Sequence, residues 1–315
     1  MPGEQVRTLN FGLAENRERE SNNPKTNKQN LLIKLIYNVQ RYIEAAIFTK
    51  HTLIFCRLAV SLHSQTVQNR TSILNLIADI GNNSAKFFLF NGEQILLHTR
   101  RNDASYEVIS EWNKQFGIDK IIVSTVIDLT EEQKNEFQVV GCPVIWFNSE
   151  TPTPLKIEYA TPHTLGSDRI AAAVGAWNER PCNNMLVIDA GSAITIDFVT
   201  RQGIYKGGNI APGIKMRLKA LHEYTSRLPL VEKEGEIPAF GYDTETAIRS
   251  GVITGIGHEI DGYINAIREK YGDVLVFLTG GDEKTLKNRI KNHIFADKNL
   301  VAKGLNRILL DYDGF

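Results

Sequence analysis

The sequence predicts an α/β protein built twice over, two like lobes facing a cleft, behind an N-terminal extension of different texture. Two observations predict it. From Leu74 onward, short apolar strands alternate with helical patterns, the order of an α/β lobe. And I-A-D-I-G-N-N-S-A-K-F-F-L-F, from Ile77 to Phe90, has a second version in V-I-D-A-G-S-A-I-T-I-D-F-V-T, from Val187 to Thr200. Asp79 falls on Asp189, Gly81 on Gly191 and Asn82 on Ser192, at an offset of 110. A strand ending in Asp-x-Gly, repeated once in each half, is the mark of an internal duplication.

Residues 1 to 30 are rich in Asn, Glu, Arg and Lys, and such a stretch buries too little apolar surface to offset its ordering entropy. We read it as disordered. Residues 31 to 62 suit one or two helices, with Leu32, Leu35, Ile36, Val39 and Ile43 near helical spacing. Charges at Lys34, Arg41, Glu44, Lys50 and Arg57 interrupt the run, so no window resembles a membrane span. The polar start also lacks the features of a signal peptide.

From Leu74 the expected elements are a meander of three strands, Leu74 to Asp79, Ser84 to Phe90 and Gln94 to Thr99, the last two joined by Asn91-Gly92. A helix from Ala104 to Phe116 stops at Gly117 and leads to a strand from Lys120 to Thr125. A polar helix near Glu131 to Phe137 then leads to a short strand at Val144 to Phe147. The second half begins with a helix from Leu165 to Trp177, N-capped by Thr164, and strands at Met185 to Asp189, Ala193 to Thr200 and Gly203 to Asn209. Lys206 to Gly213 reads as a strand passing through a tight glycine turn into a helix. The remainder is mainly helical, with a long helix from Thr244 to Tyr271, then a strand from Val274 to Leu278 that ends in Thr279-Gly280-Gly281-Asp282.

Charge balance excludes little by itself: 36 basic and 36 acidic side chains cancel over 315 residues. The sum hides unlike parts. Residues 1 to 73 hold ten basic and five acidic side chains, so the extension carries +5 and the remainder −5. Neither part has the strong basic footprint of a nucleic-acid binder. Cys56, Cys142 and Cys182 lack metal-type or C-x-x-C spacing, and a reducing cytoplasm fits them best.

The chemistry-bearing residues sit where strands end. In Asp79-Ile80-Gly81-Asn82-Asn83-Ser84-Ala85-Lys86, small residues let backbone N–H groups approach phosphate oxygens, and the carboxylate suits Mg²⁺. Asp-x-Gly alone is an ordinary turn. Its recurrence at Asp189-Ala190-Gly191-Ser192 gives one hairpin per lobe, as a polyphosphate clamp requires. Tyr159 to Arg169 is the densest cluster, with Asp168 and Arg169 at a helix start. The plainer alternative there is a charge favourable to the helix dipole and a surface ion pair.

Taken in order, D-I-G-N-N-S-A-K, T-P-H-T-L-G-S-D-R, D-A-G-S-A-I-T-I-D, G-G-N-I-A-P-G, G-Y-D-T and T-G-G-D resemble the type III pantothenate kinase family over about residues 74 to 315. The resemblance implies the duplicated actin-like (ribonuclease H-like) ATPase fold, with lobes over 74 to 185 and 186 to 315 around a nucleotide cleft and the extension 1 to 73 outside the family pattern. It implies ATP-dependent phosphorylation of the primary hydroxyl of pantothenate, the first step of coenzyme A synthesis, with Mg²⁺ and a monovalent cation, K⁺ or NH₄⁺.

By the same resemblance, Asp79, Ile80, Gly81, Asn82, Asn83, Ser84, Ala85 and Lys86 form the first phosphate hairpin, Asp79 holding magnesium, and Ser192 belongs to the second. Asp189 matches the monovalent-cation carboxylate. Tyr159, Gly166, Ser167, Asp168, Arg169 and Thr244 match substrate positions, Asp168 as the proton acceptor and Arg169 as a partner for the pantothenate carboxylate. A homodimer with the pocket completed at the subunit interface is also implied, with no nucleic-acid or membrane partner.

Two positions depart from the family. Asn83 and Ser192 stand where it usually carries Thr, and both remain polar. Translation is expected to start nearer Leu74. The competing functions are a non-catalytic regulator of the same family and another kinase or phosphatase of the same superfold.

Overall fold

In a computed structural model of the chain, the described residues are 73–82, 84–102 and 107–312, and they lie within one compact unit, Leu62–Phe315. The expectations for residues 1 to 72, for Asn83 and for a helix start at Ala104 fall outside them. The first half runs β1 (Leu74–Ile80), β2 (Ala85–Asn91), β3 (Gln94–Arg101), α1 (Glu107–Phe116), β4 (Lys120–Thr125), α2 (Glu131–Gln138) and β5 (Val144–Trp146). Then come β6 (Lys156–Ile157), a 3₁₀ turn (Pro162–Thr164), α3 (Ser167–Glu179), β7 (Met185–Ala190), β8 (Ala193–Val199) and β9 (Ile204–Pro212). The chain closes with α4 (Ile214–Glu223), α5 (Thr244–Tyr271), β10 (Leu275–Thr279), α6 (Glu283–Lys287), β11 (Phe295–Ala296) and α7 (Leu300–Asp311).

The duplication expected from two short motifs extends to the whole strand topology. One sheet has the order β3-β2-β1-β4-β5, and the other has β9-β8-β7-β10-β11, with β6 added at the β9 edge. In both, the Asp-bearing strand pairs antiparallel with the next strand and parallel with the strand that follows a helix. The actin-like fold implied by the motifs is therefore present. The repeats differ by one residue at the turn, because Ile80 pairs with Ala85 whereas Ala190 pairs with Ile194. The offset of 110 thus holds up to the turn and becomes 109 beyond it.

Three cores hold the elements in place. On one face of the first sheet, Leu76, Ala78, Phe87, Leu89, Ile121 and Phe137 pack with α1 and α2. On one face of the second, Leu186, Ile188, Ile196, Ile253, Ile256 and Leu278 pack with α4 and α5. Between the remaining faces lies a core shared by both sheets, in which Ile77, Phe90 and Ile122 from one and Val187, Tyr205 and Phe277 from the other meet α3 and α7. The alanine run Ala171 to Ala173 lets those two helices approach closely, and a glycine on each takes the crossing. A Cβ on Gly304 would lie 1.8 Å from the Ala171 carbonyl oxygen, and one on Gly175 2.3 Å from that of Leu300.

Two local expectations need correction. Thr164 does not cap α3: it ends the 3₁₀ turn, its hydroxyl bonds to Thr161, and Gly166 occupies the N-cap. Lys206 to Gly213 is not a tight turn, since β9 runs through Gly207 and Gly208 to Pro212 and the helix starts at Ile214. The reason is ladder pairing with β8, which continues to Ala193–Pro212 and which local glycine content cannot reveal. The edge strands β6 and β11 carry no periodic signal at two residues each and went unread.

Candidate functional site at the paired strand ends

Asp79 and Asp189 close β1 and β7, the central strands of their sheets, so both carboxylates reach the same kind of place twice. Each hairpin turn is fastened by its glycine, Gly81 N–H donating to the Ser84 carbonyl and Gly191 N–H to that of Ala193, both at 3.0 Å. Ile80 and Ala85 point into the core at 2% and 3% exposure, which leaves only their backbone for a ligand. Asn82 and Ser192 are exposed at the turns, and Ser84 is half-buried.

Across the strands, corresponding rows can be compared. In the first sheet the row is Ser124, Asp79, Lys86 and Arg100; in the second it is Thr279, Asp189, Thr195 and Ile210. The fold is the same, but only the first row carries cations. Lys86 Nζ donates to Asp79 Oδ2 at 3.1 Å, and burial, which would depress the lysine, is outweighed by that carboxylate so that its pKa is raised. Arg100 Nε donates to Ser84 Oγ at 3.0 Å and braces the first hairpin.

Helix α3 brings the third carboxylate. The Ser167 and Ser124 hydroxyls share a hydrogen bond of 2.9 Å, tying the helix start to the end of β4 beside Asp79. Asp168 follows, its Oδ1 accepting from Arg169 N–H at 2.8 Å. Its pKa is raised, first by burial and then by the charges of Asp79 and Asp197, although the Arg169 N–H bond and guanidinium oppose this. Asp189 is pushed up to about 7, mainly by burial, with Asp168, Asp79 and Asp197 adding to it and Lys86 opposing. Four carboxylates thus share one region with few cations.

Such a donor set fits cations. Among the described residues no group of three or more His, Cys, Asp and Glu forms a ready cage. Magnesium is usually held by one or two carboxylates together with substrate phosphates, and Asp79, at the strand end beside the first hairpin, is a ligand of that kind. Asp189, short of positive charge, suits a monovalent ion.

Arg169 is not the surface ion pair of the plainer reading. It is 5% exposed, and its Nε and Nη2 both grip Asp197, at 3.1 and 2.5 Å to Oδ1. Burial disfavours its charge, but Asp197 more than offsets that, and the pKa is raised. The Tyr159 ring lies 5.9 Å from the guanidinium carbon and edge-on to Tyr205. Asp197 went without a role in the sequence, although an acid within the apolar strand A-I-T-I-D-F-V is a signal that a buried cation waits for it.

Gly280 and Gly281 follow β10 over the end of β7. A Cβ on Gly280 would stand 2.4 Å from both Asp189 Oδ1 and the Ala190 carbonyl oxygen, so the chain passes directly against the Asp189 carboxylate. Asp282 N–H donates to Ala190 and the Asp282 carboxylate takes Lys233 Nζ at 2.5 Å. Gly166 lies against Asp168 Oδ1. Thr244, by contrast, is exposed on the first turn of α5, beside its N-cap Asp243.

The chain's likeness to known proteins points the same way. A family model described as type III pantothenate kinase matches residues 75–266. A Bacteroides fragilis protein named type III pantothenate kinase is 50% identical over 236 residues, covering 75% of this chain and 97% of its own. One of the same name from Porphyromonas gingivalis is 41% identical over 238 residues, covering 75% and 97%. A solved structure from Campylobacter jejuni, described as a conserved putative Baf family transcriptional activator, is 30% identical with a TM-score of 0.51, covering 75% of this chain and 98% of its own.

Proposed function

Since the chain belongs to the type III pantothenate kinase family, acting on pantothenate in coenzyme A biosynthesis, we propose that Asp168 takes the proton from the pantothenate hydroxyl as it attacks the terminal phosphoryl group of ATP. The observation that carries this reading is the placing of Asp168 at the first turn of α3, within electrostatic reach of Asp79 and joined to the end of β4 through Ser167. A half-buried carboxylate with a raised pKa beside a phosphate hairpin has the properties of a general base.

The other parts follow from phosphoryl transfer, which needs in-line positioning and neutralised charge more than covalent help. The backbone of Gly81 to Ser84 and of Gly191 to Ser192 cradles the phosphates, and Lys86 brings positive charge to them. Asp79 would hold magnesium and Asp189 a monovalent cation, K⁺ or NH₄⁺, and the chemistry such ions would supply is neutralisation of phosphate charge. Arg169 orients the pantothenate carboxylate with Tyr159 beside it, and the glycine turn at 280 and 281 leaves room for the nucleoside. The lobes over 74 to 185 and 186 to 315 enclose the nucleotide.

A coupled assay with ATP, Mg²⁺ and pantothenate tests the whole. Turnover is expected with K⁺ or NH₄⁺ and strongly reduced without either. No turnover in any cation would remove the catalytic reading and restore the regulatory one.

We place the protein in the cytoplasm as a homodimer whose substrate pocket is completed at the subunit interface. No helix among the described residues is long and apolar enough to cross a membrane. Support for the dimer comes from large apolar side chains left open between β9 and α5: Ile210, Met216, Tyr224, Leu230, Phe240 and Tyr242, with Phe240 at 91% exposure. Large apolar side chains so exposed are of the kind that an association face would cover. Light scattering is expected to give a dimer for the native chain and a shift to monomer for Phe240→Asp; a native monomer at micromolar concentration would count against the interface.

A further inference from the structure

We infer that Asp197 and Tyr205 are positioning residues for substrate-carboxylate recognition, a clamp that fixes the direction in which Arg169 offers the guanidinium edge that Asp197 does not take. The inference rests on the kinase reading and extends it to residues with no role there. Asp197 Oδ1 accepts from Arg169 Nε and Nη2 and from the Tyr205 hydroxyl, the last at 2.6 Å, while Oδ2 takes a second bond from Nε at 3.2 Å. All three side chains are buried, at 5% exposure for Arg169, 1% for Asp197 and 0% for Tyr205. The guanidinium side edge is therefore spent on Asp197. Arg169 also bonds to Tyr159, so a substrate carboxylate must be met through what remains of the outward Nη1–Nη2 edge, which requires the plane of the guanidinium to be held.

The internal duplication supplies a control on whether the fold itself needs this group. Asp197 pairs with Val187 and Gly208, and the corresponding place in the first sheet is Phe88, which pairs with Ile77 and His98. There the position is filled by Phe88 stacked on His98, with ring centroids 5.9 Å apart. The sheet is thus satisfied by an aromatic pair. In the second sheet an acid stands over a glycine instead, and a Cβ on Gly208 would lie 2.4 Å from Asp197 Oδ1 and 2.1 Å from the Ile196 carbonyl. The neighbouring Gly207 has φ of +105° and leaves the Tyr159 ring 3.3 Å from where its Cβ would be. Both glycines make room for the clamp and for the aromatic ring beside it. Burying an ion pair brings little net stability over an apolar packing, so the arrangement gains its value from orientation.

Tyr205→Phe isolates the effect, since it removes one hydroxyl from a filled site and keeps the ring. The full-length enzyme would be assayed with pantothenate and with a neutral N-alkyl amide of pantothenate, alongside thermal melting and calorimetric titration of both ligands. The expected result is an about tenfold fall in the preference for pantothenate, seen in KM and in affinity, with kcat nearly unchanged, the size of effect that one hydrogen bond to a charged group provides. The neutral amide should be handled as by the native enzyme. An unchanged preference, or an equal loss for both ligands, overturns the clamp and leaves a structural role only. A native enzyme that fails to phosphorylate pantothenate overturns the kinase reading instead; calorimetry then still decides the clamp, because failure of the native protein to favour the acid over the amide removes it.

Discussion

Asp168→Asn is expected to lower kcat for pantothenate phosphorylation by about 10²- to 10⁴-fold, the range a positioned general base contributes. The substitution keeps an oxygen able to accept from the Arg169 N–H, so the first turn of α3 should persist and KM for ATP should change little. The pH profile carries a second signature. The base works unprotonated, and burial, with Asp79 and Asp197 adding, raises its pKa above the ordinary carboxylate value of 3.8. Activity of the native enzyme should therefore fall as pH drops towards that raised value, at a higher pH than an exposed aspartate would give. Steady-state kinetics across pH on both proteins would show it. Full activity in the variant would end the assignment of Asp168 as base while leaving the family membership intact.

Gly304→Ala is expected to destabilise the protein by about 1–3 kcal/mol or more, the cost of overpacking a filled interior. At about 2–4 °C per kcal/mol for a domain of this size, the melting temperature should fall by several degrees. The new Cβ would meet the Ala171 carbonyl oxygen at 1.8 Å, a backbone atom that cannot swing away, so α7 and α3 must part. Helix propensity acts the other way, by about 1 kcal/mol in favour of alanine, and offsets only part of the loss. Because α3 carries Asp168 in its first turn, a fall in kcat should accompany the lost stability. Gly262→Ala makes the comparison decisive: Gly262 is also inside a helix, α5, but nothing lies within 4 Å of its Cβ position, and there propensity alone should stabilise by up to about 1 kcal/mol. Equal melting shifts in the two variants would refute the close-crossing account.

The two glycines separate what the chain announces from what it leaves to packing. Gly262 and Gly304 look alike in the sequence, each a glycine inside a helical pattern, and nothing local says which of them is packed against another helix. What the sequence by itself determined was the repeated Asp-x-Gly strand end, and with it the duplicated α/β fold, because a buried strand turning back through small residues has a local signature wherever it occurs. Asp79, Asp189 and Asp168 were legible for the same reason: the chain changes period or direction beside each of them. The long helix α5 was bounded correctly, its start marked by Asp243 and its end by Gly272. Tertiary structure alone decided the rest. Pairing with β8 carried the strand expected to stop at Asn209 on to Pro212 although its glycines spell a turn, and the extra residue in the first hairpin set Lys86 opposite Asp79 where its counterpart, opposite Asp189, is Thr195. Arg169 meets Asp197 across 28 positions of sequence and Tyr205 beyond it. The physical reason is that backbone preference acts over neighbouring residues, whereas the partner of a buried charge is chosen by whichever strands the core brings together.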